Sequence, residues 1–188
     1  MNRAWIVAAA ASVIVGTLAY VTVTGEAGGS SSQEGAGASA TLRDAADVKI
    51  GKVKLEQQGN VVRIKVKVDG TVAAGFHGFH VHAVGACVAP FTSAGGHFNP
   101  GAATHGGHAG DLPVLYIGAD GHGEATVSTD RFTIDALFDG DGSAFILHAG
   151  RDNYANIPTD RYDPDPDATT LATGDAGARV ACGVIEAS

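Results

Sequence analysis

Cysteine is nearly absent: the chain of 188 residues holds two, Cys87 and Cys182. Neither falls near the N-terminus, which excludes a lipid-anchored lipoprotein. Methionine and tryptophan occur once each against 27 glycines, a balance that favours many turns and few long helices. Cations are also scarce. Twelve Lys and Arg against twenty Asp and Glu leave a net charge of −8, and no stretch reads as a basic patch, which argues against nucleic acid as a partner. The deficit does not exclude a small anionic substrate, because a local field in a cleft can oppose the net charge. No internal repeat is present, and 45% hydrophobic residues can support a core for one domain plus an appendage.

The appendage is N-terminal. Met1-Asn2-Arg3 carries positive charge, and Ala4 to Val23 is an uncharged, largely apolar run. About twenty residues at roughly 1.5 Å rise cross a bilayer core of about 30 Å. That is long for a cleaved signal, whose apolar region is typically about 7–15 residues, although Gly25 and Ala27 offer a small-residue cleavage site. Residues 1–23 are therefore expected to be a signal peptide or an N-terminal membrane anchor, with Arg3 holding the N-terminus inside. Residues 24–40, rich in Gly, Ser and Ala, read as a flexible linker, and the folded domain is expected over 41–188. The expected location is extracytoplasmic, membrane-anchored or secreted, with membrane contact only through the N-terminal segment.

The domain reads as all-β. Val62, Ile64, Val66 and Val68 alternate with Arg63, Lys65 and Lys67, and Val53 and Leu55 alternate with Lys52, Lys54 and Glu56. A period of two marks strands with one wet face, and Gln58-Gly59-Asn60 links these two as a hairpin. Leu115 to Ile117 and Glu124 to Ser128 read as a second hairpin around Gly118-Ala119-Asp120-Gly121. Ala144–Ala149 and Val180–Ile185 are short apolar strands. Short strands with frequent turns imply an antiparallel sandwich or barrel. Two long segments, 83–113 and 149–178, interrupt it, and irregular stretches of that length are usually functional.

The first long segment carries the chemistry. His80, His82, His97, His105, His108 and Asp111 fall within 32 residues of a chain that has eight histidines. His80 and His82 flank Val81 in a strand, so both imidazoles project from one face. Imidazole suits copper and zinc, and an added carboxylate is typical of zinc. The density points to two metals. His77 stands out of phase with that face and is assigned to structure, and His122, in an Asp-Gly-His-Gly turn, is assigned to solvent. In an exported chain Cys87 and Cys182 read as a disulfide, the alternative being two free thiols. Thiolate ligation is not needed, because the histidines and the carboxylate suffice.

Four motifs in order carry a specific resemblance: Gly75-Phe76-His77-Gly78-Phe79-His80-Val81-His82, Ser93-Ala94-Gly95-Gly96-His97-Phe98-Asn99-Pro100, His108-Ala109-Gly110-Asp111-Leu112, and Thr173 to Ile185 with Gly174, Gly177, Arg179 and Cys182. The chain resembles the copper/zinc superoxide dismutases of the bacterial exported type over about residues 41–188. The resemblance implies an antiparallel Greek-key β-sandwich or flattened barrel with two long functional loops. It implies copper on His80, His82, His97 and His148, and zinc on His97, His105, His108 and Asp111, with His97 bridging. Asp152 would hydrogen-bond one histidine of each site, and Arg179 would attract and orient the anion. The implied reaction is dismutation of superoxide to dioxygen and hydrogen peroxide by one-electron cycling of copper, with His97 among the proton donors. The family is an example of enzymes working near the diffusional ceiling, so steering by Arg179 matters more than tight transition-state binding. A homodimer is among the partners the family allows.

Two features depart from the family. His105-Gly106-Gly107-His108 is a short zinc spacer, which puts a copper-only enzyme among the expectations. The segment Thr159 to Asp167 is long and acidic for a loop that guides an anion, so either its aspartates point away from the channel or association is slow. The competing function is an exported copper- or zinc-binding module, for buffering or delivery, without turnover. Retention of all four copper-type histidines together with Arg179 favours the enzyme.

Overall fold

The structure is a computed structural model that describes residues 35–188. The expected anchor at 1–23 and the linker as far as residue 34 lie outside the described residues. Among the described residues no helix is long and apolar enough to cross a membrane.

Among the described residues ten strands form the frame: β1 Gly37–Asp44, β2 Lys49–Gln58, β3 Val61–Asp69, β4 Gly75–His77, β5 Phe79–His82, β6 Leu115–Ile117, β7 His122–Thr129, β8 Ala144–His148, β9 Arg179–Val184 and β10 Glu186–Ala187. All the pairings are antiparallel. One curled sheet runs β5-β8-β9-β1-β2-β3-β7, with β10 on β1, and β4 and β6 form a separate pair. The expected alternation holds in β3, where Val62, Ile64, Val66 and Val68 are buried and the residues between them exposed. The expected β2–β3 hairpin forms, with Gln58 opposite Val61.

Three expectations need correction. The folded domain starts at Gly37, four residues inside the expected linker. Ala38 and Ala40 are buried opposite Leu55 and Val53, and a strand whose inward residues are alanine reads as linker composition. The expected hairpin at 115–128 keeps its turn, closed by Gly118 N–H donating to His122 O at 2.8 Å. Its two strands nevertheless part, β6 pairing with β4 and β7 with β3. The segment 149–178 also contains one unexpected helix, α1, Ala168–Thr173. Asp167 caps it by accepting from the backbone N–H groups of Thr169 and Thr170, and Gly174 ends it in the left-handed region.

The strand β5 shows how the core positions the site. Phe79 and Val81 join the main core, where the Phe79 ring stacks on Phe145 at 5.1 Å. The alternate residues, His80 and His82, face the other way and are also buried. Burial on both faces leaves β5 no wet side, and the long segment 83–113 covers its free edge. Val81 N–H donates to Gly110 O, and Phe98 N–H donates to Val81 O. Those bonds set Asp111 beside His80 and His97 beside His82.

Candidate metal centre

His80, His82, His97 and His148 each have one ring nitrogen tied and one free. His80 Nε2–H donates to Asp152 Oδ2 at 2.7 Å, leaving Nδ1. His82 Nδ1–H donates to Gly95 O at 2.9 Å and His148 Nδ1–H to Gly177 O at 3.1 Å, leaving Nε2 on each. The tied nitrogen fixes the tautomer and aims the other lone pair. The free atoms, His80 Nδ1, His82 Nε2, His148 Nε2 and His97 Nε2, are all buried without a hydrogen-bond partner. Buried polar atoms of native proteins are rarely unpaired, so four facing one another mark a binding position. His80, His82, His97 and His148 can present their ligand atoms within 4.8 Å of one another.

His97 belongs to a second group as well. Its Nδ1 lies 2.8 Å from Asp111 Oδ1 and 3.3 Å from His108 Nδ1. Asp111 Oδ1 is in turn 3.2 Å from His108 Nδ1 and 3.4 Å from His105 Nδ1. A tetrahedron with metal–nitrogen bonds of about 2.0–2.1 Å has edges of about 3.3 Å. The donor set fits a four-coordinate zinc. The short spacer does not prevent this, because Asp111 folds it: Oδ2 accepts from Gly106 N–H at 2.7 Å and His108 N–H at 3.0 Å.

A third triad, His80, His105 and Asp152, also lies within ligand reach. Its atoms already satisfy one another, so it links the two groups instead of making a third. Asp152 Oδ1 accepts from His105 Nε2–H at 2.8 Å and Tyr154 N–H at 2.7 Å, while Oδ2 holds His80.

Electrostatics separate the two groups. Burial, followed by repulsion among the neighbouring histidines, holds His148 down to about 3. Burial likewise takes His82 to about 2 against the opposing bond to Gly95, and lowers His80. These imidazoles are neutral at neutral pH and ready to ligate. For His105 burial also disfavours the charge, but the carboxylates of Asp111 and Asp152 outweigh it and raise it to about 9. Both carboxylates, despite burial, are held well below the usual range, with His105 their leading partner.

Arg179 stands at the rim of a cavity of about 510 Å³ that it lines with His82, His97, His148 and Thr173. Its Nη1–H donates to Phe91 O and its Nη2–H to Gly95 O, both at 2.6 Å. The disulfide Cys87–Cys182 forms, with Cα atoms 5.6 Å apart, and ties the same segment to β9. Asp160, Asp163 and Asp165 are exposed and absent from the cavity wall, and the one carboxylate on it is Asp175. Asp175 is engaged by Asn153 Nδ2–H at 2.7 Å and Thr170 Oγ1–H at 3.1 Å. A larger cavity of about 650 Å³ lies beside the disulfide, bordered by Arg43 and Glu186 and remote from the histidines. His77 is structural, its nitrogens on His148 O and Ala73 O, and His122 is exposed beside Asp69.

Residues 49–185 match the family described as copper/zinc superoxide dismutase (SODC). The chain belongs to that family. It is 43% identical over 160 residues to a Superoxide dismutase [Cu-Zn] of Mycolicibacterium paratuberculosis, covering 77% of this chain and 70% of that one. A Mycobacterium tuberculosis protein of the same name is 44% identical over 161 residues, covering 77% and 67%. Among solved structures, a double mutant of a SOD-like protein from Bacillus subtilis superposes with TM-score 0.62 at 31% identity, covering 78% of this chain and 95% of that one.

Several participants lie beyond sequence reasoning. The carbonyls of Gly95 and Gly177 have no side-chain signal at all. Arg131 donates to His108 O at 3.1 Å and Gly106 O at 3.3 Å, and Tyr154 Oη accepts from Val114 N–H at 2.8 Å. Both residues clamp the zinc-type loop from outside its motif. Gly174 stands in a quoted motif, but its role appears only in three dimensions. At φ +60° its Cα faces Asp152 Oδ1 and His105 Nε2 so closely that a Cβ would collide with both.

Proposed function

We propose that the protein is an extracytoplasmic superoxide dismutase that holds copper on His80, His82, His97 and His148, and zinc on His97, His105, His108 and Asp111. One observation carries the reading: four buried, unpartnered ring nitrogens converge beside a cavity whose rim carries a guanidinium. Copper bound there would supply one-electron cycling that zinc does not. The chain's own residues do the rest. His82 and His148 stay neutral through burial, against the pull of their backbone bonds, so they need shed no proton to ligate. Arg179, fixed by two carbonyls, keeps N–H groups free for a small anion and counters the negative net charge locally. His97 offers one nitrogen to each metal group, and Asp152 holds one histidine of each. A binding module without turnover has no use for that guanidinium.

The N-terminal segment 1–23 would place the domain outside the cytoplasmic membrane, as a retained anchor or a cleaved signal. The Cys87–Cys182 bridge supports an oxidising compartment. The test is metal content and superoxide consumption on one sample of the exported chain loaded with both metals. One copper and one zinc with fast turnover is the expected result. Copper with turnover but no zinc would remove His105, His108 and Asp111 from the site, and copper without turnover would leave a binding module.

A further inference from the structure

The chain's five lysines, Lys49, Lys52, Lys54, Lys65 and Lys67, all lie on β2 and β3 at exposed positions. Lys52, Lys54, Lys65 and Lys67 stand at alternate positions, so the sequence shows no basic run, and folding brings these four to one side, with Lys49 out of phase at the start of β2. The register sets Lys52 opposite Lys67 and Lys54 opposite Lys65, with Arg63 opposite Glu56 in the next row. Three carboxylates temper the five cations of this face: Glu56, Asp69 at the end of β3 beside His122, and Glu124 of β7, which lies 3.2 Å from Lys65 and 3.0 Å from Lys67. Strands about 4.8 Å apart and alternate residues about 6.6 Å apart put these charges within one Debye length of about 8–10 Å. They act as one positive field on a chain of net charge −8.

Folding does not account for the arrangement. Like charges directly opposed across a sheet destabilise it, and exposed ion pairs return little. Lysines do protect edge strands from pairing, but β2 and β3 are interior, flanked by β1 and β7. Ser39, Thr41, Thr126 and Ser128 continue the face without an apolar patch, so a hydrophobic partner does not fit it.

We infer that the exposed face of β2 and β3 docks on a bilayer surface rich in anionic phospholipid, that of the membrane holding the N-terminal segment. The inference rests on the tethering proposed above. The chain joins the sheet at Gly37, opposite Glu56 and one row from the paired Lys54 and Lys65. Thirteen residues, 24–36, separate the apolar run from Gly37, and a chain of that length spans at most about 45 Å even fully extended. The face carries two depressions that share no lining residue, one bordered by Lys54, Glu56, Arg63 and Lys65 and one by Lys67, Asp69, His122 and Glu124, and each has a carboxylate on its wall, so it offers no continuous cationic groove to a polymer strand. The strands β5 and β8, which carry His80, His82 and His148, stand at the other end of the strand order, so docking leaves the cavity at Arg179 open.

The test uses the full chain on vesicles of phosphatidylcholine, with or without phosphatidylglycerol, and reads lysine acylation residue by residue. Labelling of Lys52, Lys54, Lys65 and Lys67 should be at least about fivefold slower with phosphatidylglycerol, and about 0.5 M salt should restore it. Glu124→Gln should deepen the protection, and Lys54→Glu with Lys65→Glu should abolish it at Lys52 and Lys67. Equal labelling on both vesicles overturns the inference, as does stronger protection by RNA or heparin than by phosphatidylglycerol. A chain that fails to float with phosphatidylcholine vesicles refutes the tether instead. Salt-sensitive flotation with phosphatidylglycerol would then still support the face, and its absence would overturn it.

Discussion

Gly174→Ala, set against Gly177→Ala, isolates what Asp152 does for the metals. Both glycines have positive φ, +60° and +80°, so either alanine bears a left-handed strain of about 1–2 kcal/mol. At Gly177 a Cβ meets nothing closer than Gly150 N at 3.8 Å, so strain is the whole effect. At Gly174 the Cβ occupies the space of Asp152 Oδ1 and His105 Nε2, and the carboxylate must move. Its bonds to His80, His105 and the backbone of Tyr154 go with it. Losing such a carboxylate behind a ligating histidine costs about 10–100-fold in metal affinity, or about 1.4–2.7 kcal/mol. Chelator competition for zinc and for copper, with denaturant unfolding of each variant, separates the two costs. Similar stability losses with a metal-affinity loss confined to Gly174→Ala are expected. Equal zinc affinities in the two variants would refute the role given to Asp152.

Arg179→Ala should lower superoxide turnover by roughly tenfold or more and flatten its dependence on ionic strength, with copper content unchanged by metal analysis. Opening the Cys87–Cys182 bridge, whose partners lie 95 residues apart, should cost about 4.7 kcal/mol of unfolding free energy on a chain-entropy account, read as a lower denaturant midpoint. Zinc loading should release a proton, because His105 keeps one up to about 9 and the zinc set needs its Nδ1. The unloaded protein then binds more protons than the loaded one, so zinc affinity should rise about tenfold per pH unit from 6.5 to 8.5 and flatten above 9. His82 and His148, at about 2 and about 3, give copper loading no such slope, and titration calorimetry in buffers of different ionisation enthalpy distinguishes the two. Tyr154→Phe removes one hydrogen bond worth about 1 kcal/mol and Arg131→Ala removes two, so zinc release to a chelator should quicken about fivefold in the first and up to about thirtyfold in the second, while the copper spectrum stays fixed.

Legibility followed side-chain chemistry. Alternation in β2 and β3 was readable because valine and lysine differ sharply in hydropathy, whereas β1 was misplaced where alanine stands at its buried positions. The turn at Gly118–Gly121 was readable as local chemistry. Which strands it joins was not, since β6 pairs with a segment forty residues earlier, and such pairing depends on the whole sheet. The histidines, Asp111 and Asp152 were legible because few other residue types ligate metal or orient ligands. The backbone carbonyls of Gly95 and Gly177 and the clamps at Arg131 and Tyr154 were not, because any residue has a carbonyl and their partners are remote in sequence.

Gly95 shows why backbone groups matter as much as ligands here. Its carbonyl accepts from both His82 Nδ1–H and Arg179 Nη2–H. One oxygen therefore sets the tautomer of a copper-type histidine and the place of the guanidinium that lines the cavity. Phe91 O, on the same turn around Thr92–Ala94, holds the other arm of Arg179. Cys87 lies four residues before Phe91, and Cys182 three residues after Arg179, so the disulfide closes a ring through the segment and β9. A side chain swung from a strand would find several rotamers at the rim of a cavity, but a guanidinium held at both ends of this ring has one. That constraint keeps a positive charge at a fixed distance from His82 in a molecule whose overall charge would repel its substrate.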